Sequence, residues 1–149
     1  MKSLVTNFLM NKTTVALLND TWFGKKDVHL KALLEDIDQA SGISFIRRDR
    51  GSRGGGVAIA FDREKIDLKK VRLNSLKGKK FEIVAAMGKI VGVKKPHIIV
   101  SVYLPPNYVR EDNQKFMETL IDSLLELRRH FPGAWMTICL LYTSPSPRD

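Results

Sequence analysis

The sequence predicts a mixed α/β fold made of stacked layers. Seven short runs are rich in Val, Ile and other apolar residues and are separated by Gly, Lys and Pro, which is typical of β-strands. Three other segments repeat their apolar residues every three or four positions, as amphipathic helices do. Strands and helices in such a series are typical of sheets covered by helices. With 149 residues, 44% of them hydrophobic, the chain is long enough to bury a core of this kind.

The first three elements are predicted to be a helix, a strand and a second helix. Residues 2–11 carry apolar side chains at helical spacing. The run 13–20 is β-branched and apolar on both faces, which predicts a buried central strand. Asp27 can cap the second helix, and Gly42 stands just past its end. The apolar residues of that helix are Leu30, Leu33, Leu34 and Ile37.

A series of strands and a long helix follow. The predicted strands are 43–48, 54–61, 67–75, 80–91 and 95–104. After two prolines, residues 111–130 form a helix that Pro132 and Gly133 stop. Its apolar stripe consists of Phe116, Leu120, Leu124 and Leu127, with Met117, Ile121 and Leu125 beside it. The run 134–141 predicts another buried strand.

The charge and the cysteine content restrict the partners and the compartment. Lys and Arg number 25 against 16 Asp and Glu, a net charge of +9. This excess favours a polyanionic partner, nucleic acid first and an acidic membrane surface second, although an ordinary basic protein has the same charge. The single cysteine, Cys139, excludes an intrachain disulfide and fits a reducing compartment. No run approaches the roughly 18 apolar residues of a membrane span, and the N-terminus does not resemble a signal peptide. We therefore expect a nuclear or cytoplasmic protein that is not secreted and has no membrane partner.

Two predicted strands end in residues that could perform chemistry. Asp20 ends the run 13–20, and ligands of layered α/β proteins collect at the carboxyl ends of strands. A carboxylate there can bind Mg²⁺, or it can simply begin a turn. Tyr103 lies near the end of 95–104, before a stiff Leu-Pro-Pro exit. Its phenol could donate a hydrogen bond to a phosphate oxygen, or its ring could lie in the core with the hydroxyl at the rim.

The segment 47–56, RRDRGSRGGG, combines flexible backbone with dense positive charge. Its three consecutive glycines permit the close approach of another molecule. Its arginines, Arg47, Arg48, Arg50 and Arg53, offer bidentate donors to phosphate. Neither a P-loop nor a dinucleotide-binding motif is present. The segment is therefore either a nucleic-acid contact or a Gly-rich hairpin with solvated arginines.

Taken in order, these motifs resemble those of the endonuclease/exonuclease/phosphatase superfamily. The order is acid-Thr-Trp at 20–22, a helix, Arg-x-Asp-Arg at 47–50 before GGGVAIA, and Tyr-Leu-Pro-Pro-Asn at 103–107, followed by a long helix and a strand. More narrowly, the chain is similar to the endonuclease domain of a non-LTR retrotransposon, part of a reverse transcriptase polyprotein. The resemblance covers about residues 4–138.

The resemblance implies a four-layer α/β sandwich and Mg²⁺-dependent phosphodiester cleavage, in which a nick in target DNA primes reverse transcription. Asp20 matches the metal-binding acid, which is usually Glu in the family, and Tyr103 matches the active-site tyrosine near the scissile phosphate. The DNA-binding positions implied are Arg50, Arg53, Gly54, Gly55, Gly56 and Asn107. The partner is then DNA, the cofactor is Mg²⁺ rather than a small organic molecule, and the oligomeric state stays open.

Several motifs of the family are missing from this chain. No strand with an N-x-N-G motif precedes residue 13, no Gly-Asp-Phe-Asn follows residue 138, and the terminal Ser-Asp-His is absent. One carboxylate binds Mg²⁺ poorly, and catalytic residues that act as a unit fail together. We therefore expect residues 1–138 to form a partial sandwich that lacks the first strand and the C-terminal part. Such a fragment of a nuclease should be inactive and should fold poorly by itself.

The last residues, CLLYTSPSPRD at 139–149, do not follow the pattern of the rest. A predicted buried strand continues directly into a Ser/Pro-rich tail. The tail is either a disordered C-terminus or non-native sequence, because the string resembles translated adaptor sequence in shotgun-assembled reading frames. We favour the second interpretation.

Two other functions fit the same residues. One is another branch of the superfamily, either an abasic-site repair endonuclease or a phosphatase of small phosphates. Trp22 and the double proline after Tyr103 favour the retrotransposon branch over it. The other is a non-catalytic basic module that binds nucleic acid in a salt-sensitive way without nicking it.

Overall fold

Seven strands form two sheets in the described part of the computed structural model, which comprises residues 14–19, 21, 32, 35–37, 39, 41–49, 56–104 and 110–142. The strands are β1 (Val15–Asn19), β2 (Ile43–Arg48), β3 (Val57–Asp62), β4 (Ile66–Val71), β5 (Glu82–Ile90), β6 (His97–Leu104) and β7 (Trp135–Tyr142). A 3₁₀ helix (Asn74–Leu76) follows β4, and helix α1 (Arg110–His130) connects β6 to β7. The described positions between 32 and 41 are helical, and Gly42 follows them at φ 73°. The predicted helix 2–11 and all of residues 22–31, Asp27 among them, lie outside the described residues.

The first sheet has the order β1-β3-β2 and is antiparallel. Its central strand is β3, in which Val57, Ala58, Ile59 and Ala60 are fully buried. The sequence predicts β1 as the buried central strand, but Val15 and Leu17 are only partly buried there. The difference arises because β1 pairs with β3 alone among the described strands, whereas β3 has a neighbour on each side. Composition therefore identified a strand correctly but not its place in the sheet.

The second sheet has the order β4-β5-β6-β7. The pairs β4–β5 and β5–β6 are antiparallel, and β6–β7 is parallel. The parallel pair follows from the connection, because α1 carries the chain back to the starting end of β6 before β7 begins. Strand β7 extends beyond the predicted native boundary, since Cys139 and Leu140 pair with Ser101 and Val102 of β6.

The two sheets pack face to face through one apolar cluster. Ile59 and Phe61 of the first sheet meet Val84, Ala86 and Ile99 of the second. Side chains alternate between the faces of a strand, so each sheet has a second face to cover. Ile43 and Ala60 are buried on the other face of the first sheet. The predicted layered α/β sandwich is therefore confirmed.

Helix α1 covers the other face of the second sheet. Phe116, Leu120 and Leu127 are buried against Ile98 and Val100 of β6. The ring of Phe116 also meets that of Phe81 edge-on, with centroids 5.3 Å apart. The predicted stripe thus faces the sheet, while the residues beside it, Met117, Ile121 and Leu125, are exposed. No helix in the described ranges has the length and apolar character to cross a membrane.

Glu126 fixes the loop after β4 to α1. Its carboxylate accepts hydrogen bonds from the backbone amides of Asn74, at 2.7 Å, and Ser75, at 3.1 Å. Burial raises the pKa of Glu126, but these two amides, the Ser75 hydroxyl and the charge of His130 together lower it below its ordinary value. The Ser75 and Ser123 hydroxyls lie 2.8 Å apart beside it. The loop therefore has a defined position relative to the helix.

Two leucines of α1 test this packing by the same substitution. Leu127→Ala should lower the free energy of unfolding by about 2–5 kcal/mol, because Leu127 is fully buried and its truncation leaves a cavity. Leu125→Ala removes the same atoms from a residue that is 57% exposed, and should cost about 0.5 kcal/mol or less. Urea unfolding followed by circular dichroism measures both. Equal losses would contradict the orientation of the helix.

Candidate functional site

Residues from both sheets meet where several strands end. Asn19 and Arg48, the last residues of β1 and β2, lie on either side of Val57, the first residue of β3. In the second sheet, Glu82 at the start of β5 lies opposite Tyr103, near the end of β6. The two edges face each other, because the amide of Gly56 donates a hydrogen bond to Glu82 Oε1. The Thr21 amide donates to the Gly56 carbonyl at 3.3 Å. Five separate segments therefore converge at one end of the sandwich.

Glu82 is the central buried charge of this site, with 2% of its surface exposed. Val84 and Ala86 lie in the core between the sheets, and strand alternation places Glu82 on the same face. A buried carboxylate is stable only where donors satisfy it, and the Gly56 amide is one such donor. Glu82 is not among the site residues predicted from the sequence. The signal was a single acid at an inward-facing position of an otherwise apolar strand.

Tyr103 lies where the sequence predicts it, one residue before the end of β6. It is 8% exposed, and its side chain belongs to the apolar cluster between the sheets. This agrees with the interpretation in which the ring lies in the core near the rim. The role of its hydroxyl at a phosphate stays a prediction.

Gly56 is the one described residue among the six implied DNA-binding positions. Its φ is +96°, a conformation that side-chain-bearing residues rarely adopt. A Cβ atom on it would lie 2.6 Å from Thr21 Oγ1. The structure therefore uses this glycine for close contact within the protein, and its DNA contact stays a prediction. The other predicted site residues, Asp20, Arg50, Arg53, Gly54, Gly55 and Asn107, lie outside the described residues.

Positive charge borders the site on the side of β2 and β4. The Lys70 ammonium donates to the Arg47 carbonyl at 2.7 Å, and the Arg48 guanidinium donates to the Lys79 carbonyl. Arg47 Nε lies 3.4 Å from Asp49 Oδ2. Burial lowers the pKa of Arg48.

The pKa of Lys70 is lowered first by burial of its ammonium and then by repulsion from Arg48, while Asp49 raises it. Lys70 as a whole is nevertheless exposed to solvent. Cations crowded in this way favour an anionic ligand, because each one raises the cost of charging its neighbours.

The described residues do not by themselves form a metal site. No group of three or more His, Cys, Asp or Glu side chains comes together among them. The Glu82 carboxylate accepts a hydrogen bond from the Gly56 amide, and the Asp49 carboxylate forms an ion pair with Arg47. Mg²⁺ needs several oxygen ligands in octahedral geometry, and the predicted ligand Asp20 is not described. Magnesium binding therefore stays a prediction.

Known structures identify the arrangement of the two sheets. D. rerio TDP2 complexed with a single-strand DNA product superposes with a TM-score of 0.58 at 9% identity, and 95% of this chain covers 54% of it. ANGEL2, a 2′,3′-cyclic phosphatase in complex with adenosine-2′,3′-vanadate, gives 0.63 at 14% identity, with 94% of this chain covering 42% of it. The mannosyl-6-phosphatase of Bacteroides thetaiotaomicron gives 0.62 at 13% identity, with 91% covering 54%.

The chain has the fold of the endonuclease/exonuclease/phosphatase superfamily. It spans about half the length of these solved structures. No protein-family model matches the sequence, and no curated protein matches it significantly. The solved structures therefore support the fold that was predicted from the sequence motifs. They do not identify the substrate of this chain.

Two glycines with positive φ test the close contact at Gly56. Gly56→Ala should destabilise the protein by about 1–2 kcal/mol for the backbone conformation and by about 1–3 kcal/mol more for the clash with Thr21. Gly78 has a φ of +73°, and no atom lies within 4 Å of the position of a new methyl group. Gly78→Ala should therefore destabilise the protein only through the strained backbone conformation. Thermal unfolding of both variants measures the difference. Equal destabilisation would show that the Thr21 contact is not rigid.

Proposed function

We propose that this chain is part of a DNA endonuclease domain that nicks target DNA for a non-LTR retrotransposon. The observation that carries the proposal is the convergence of Glu82, Tyr103 and Gly56 at the strand ends, beside crowded cations. Cations beside the strand ends attract an anionic substrate, and the net charge of +9 favours a substrate that carries many negative charges. The fold supports phosphate ester chemistry, since TDP2 is seen with a DNA product and ANGEL2 with an adenosine vanadate.

The proposed roles follow the sequence motifs. Asp20 is the metal-binding acid, and Tyr103 donates a hydrogen bond to an oxygen of the scissile phosphate. Glu82 acts indirectly, because it holds the Gly56 amide and with it the start of β3. The residues proposed to contact the DNA backbone are Arg50, Arg53, Gly54, Gly55, Gly56 and Asn107.

The retrotransposon branch rests on two short motifs, Asp-Thr-Trp at 20–22 and Tyr-Leu-Pro-Pro at 103–106. A reverse transcriptase encoded downstream in the same frame would support it. The competing assignment is a phosphatase of small phosphates, which the mannosyl-6-phosphatase structure favours. An abasic-site repair endonuclease is the other alternative within the superfamily. We place the protein in the nucleus or cytoplasm, where a DNA nick could be used.

The chain itself is proposed to be a fragment without nuclease activity. It spans about half the length of the solved structures with this fold, and the motif that supplies the general-base histidine is absent from it. Strand β7 also exposes apolar side chains, with Trp135 50% and Leu140 47% exposed. Such a surface favours aggregation when the chain is expressed alone.

Nicking of supercoiled plasmid with Mg²⁺ or Mn²⁺ tests the function. We expect this chain to bind the plasmid without nicking it, and a domain completed from the source locus to nick it. In the completed domain, Tyr103→Phe should lower the rate by about 10²-fold, because the hydrogen bond to the phosphate is lost. Asp20→Ala should abolish metal-dependent nicking, and the melting temperature of each variant checks its folding. Retained nicking in both variants would contradict the assignment, and turnover of small phosphate esters without nicking would favour the phosphatase.

We further infer that residues 139–149 are not native, although 139–142 pair with β6. Long-read sequencing of the source locus across the codons for Ile138 and Cys139 tests this. The expected frame continues after Ile138 into Gly-Asp-Phe-Asn and then a reverse transcriptase. A genomic sequence that encodes CLLYTSPSPRD would contradict the inference and make the chain a truncated relic.

A further inference from the structure

A groove opens beside the strand ends, at the edge between β4 and β5. The pairing of these strands ends at Val71 and Ala85, whereas β5 begins earlier, at Glu82. The chain leaves the sheet after Val71, and the space between it and the start of β5 forms a cavity of about 500 Å³. Ile83, Val84 and Ala85 line one side of it, and Leu73 and Leu76 contribute further apolar surface.

The polar lining of this groove is almost entirely cationic. Among the described residues, its charged lining consists of Arg48, Lys70, Arg72 and Lys77 and includes no acidic residue. Asp49 is the one carboxylate that acts on Lys70, and its side chain already lies beside Arg47. The mutual repulsion of these cations is therefore only partly compensated within the described residues. A bound anion would relieve it.

Two of the four cations are held by hydrogen bonds, whereas Arg72 and Lys77 are exposed on the loop after β4. Lys70 donates to the Arg47 carbonyl, and Arg48 donates to the Lys79 carbonyl. Each bond uses one of several donors, since an ammonium has three N–H groups and a guanidinium has five. Glu126 accepts hydrogen bonds from the amides of Asn74 and Ser75, which fixes the loop between Arg72 and Lys77. Preorganised donors of this kind lose little entropy when an anion binds.

The groove is adjacent to the candidate site. Arg48 lies opposite Val57, the residue after Gly56. Ile83 in the groove follows Glu82 in the site. A substrate with a single phosphate at the strand ends would leave the groove empty. A polynucleotide could occupy both, with one phosphate at the site and its neighbours in the groove.

We propose that this groove binds the phosphate backbone of a DNA strand next to the position of cleavage, through Arg48, Lys70, Arg72 and Lys77. The proposal rests on the proposed function in one respect, because it takes the strand ends as the place of cleavage. It adds the residues that hold the strand beside the cleavage position, and with them a preference for an extended polyanion over a small phosphate ester. Binding is independent of base sequence, because the contacts go to phosphates.

A pair of charge-reversal variants of this chain tests the groove. R72E/K77E changes the groove, and K94E/K95E makes an equal change of net charge in the turn between β5 and β6, at the far end of β5. The probe is a fluorescein-labelled single-stranded DNA of about 16 nucleotides, followed by anisotropy over a range of salt concentrations. R72E/K77E should weaken binding roughly tenfold or more and reduce the slope of log K against log salt by about 1.4, which corresponds to two lost contacts. K94E/K95E should leave the slope unchanged.

Equal effects of the two variants, or no salt-dependent binding by the unmodified chain, would overturn the proposal. Lysine acetylation read by mass spectrometry supplies a test that needs no variant: DNA should protect Lys77 and not Lys95. Lack of selective protection would also overturn it. Nicking by the completed domain reports separately on the proposed function. If only R72E/K77E loses binding and the completed domain does not nick DNA, the groove is supported and the nuclease function is rejected. If the completed domain nicks DNA and both variants bind equally, the nuclease function is supported and the groove is rejected.

Discussion

The hydrogen bond from the Gly56 amide to the buried Glu82 carboxylate joins the two sheets at the end where their strands stop. A carboxylate that is 2% exposed needs donors, and this one draws the start of β3 towards the start of β5. The approach is possible because residue 56 has no side chain, since the place of its Cβ is taken by Thr21. The contact places the start of β3 beside the strand pair that carries Tyr103, and the Thr21 amide donates to the carbonyl of the same glycine.

The layered packing explains why chemistry can gather at that end. Face-to-face sheets bury the middle of the central strands, as in Ile59 of β3 and Val84 of β5. The strand ends and the loops after them stay accessible to a ligand. The early departure of β4 opens a groove at the same end, and Glu126 holds the departing loop against α1. The structure thus combines a rigid core with a polar, cationic margin.

The same fold carries different substrates in the solved structures that this chain resembles, so the fold itself does not choose between them. The choice is made by the side chains at the margin. In this protein the cations beside the strand ends come from several segments, from Arg48 on β2 to Lys77 in the loop after β4. A distribution of that length favours a chain of phosphates, whereas a single phosphate needs only one local cluster.

Much of the fold could be predicted from the sequence, because strand and helix patterns are local. The apolar stripe of α1 and the ends of β2 and β6 follow from residue spacing, and Tyr103 was placed at its strand end for the same reason. The order of the motifs predicted the fold, and the solved structures with the same arrangement of sheets support that prediction.

The order of strands in each sheet could not be predicted in the same way. Whether β1 or β3 is central depends on pairing between segments distant in sequence, and both are equally apolar. Glu82 and Lys70 likewise became site residues only when β2, β4 and β5 were brought side by side. The sequence by itself determined the elements, the excess of positive charge and the motif residues. Tertiary structure alone decided which charges are buried, which amide meets Glu82 and where cations crowd, because desolvation and Coulomb repulsion depend on distances in space and not along the chain.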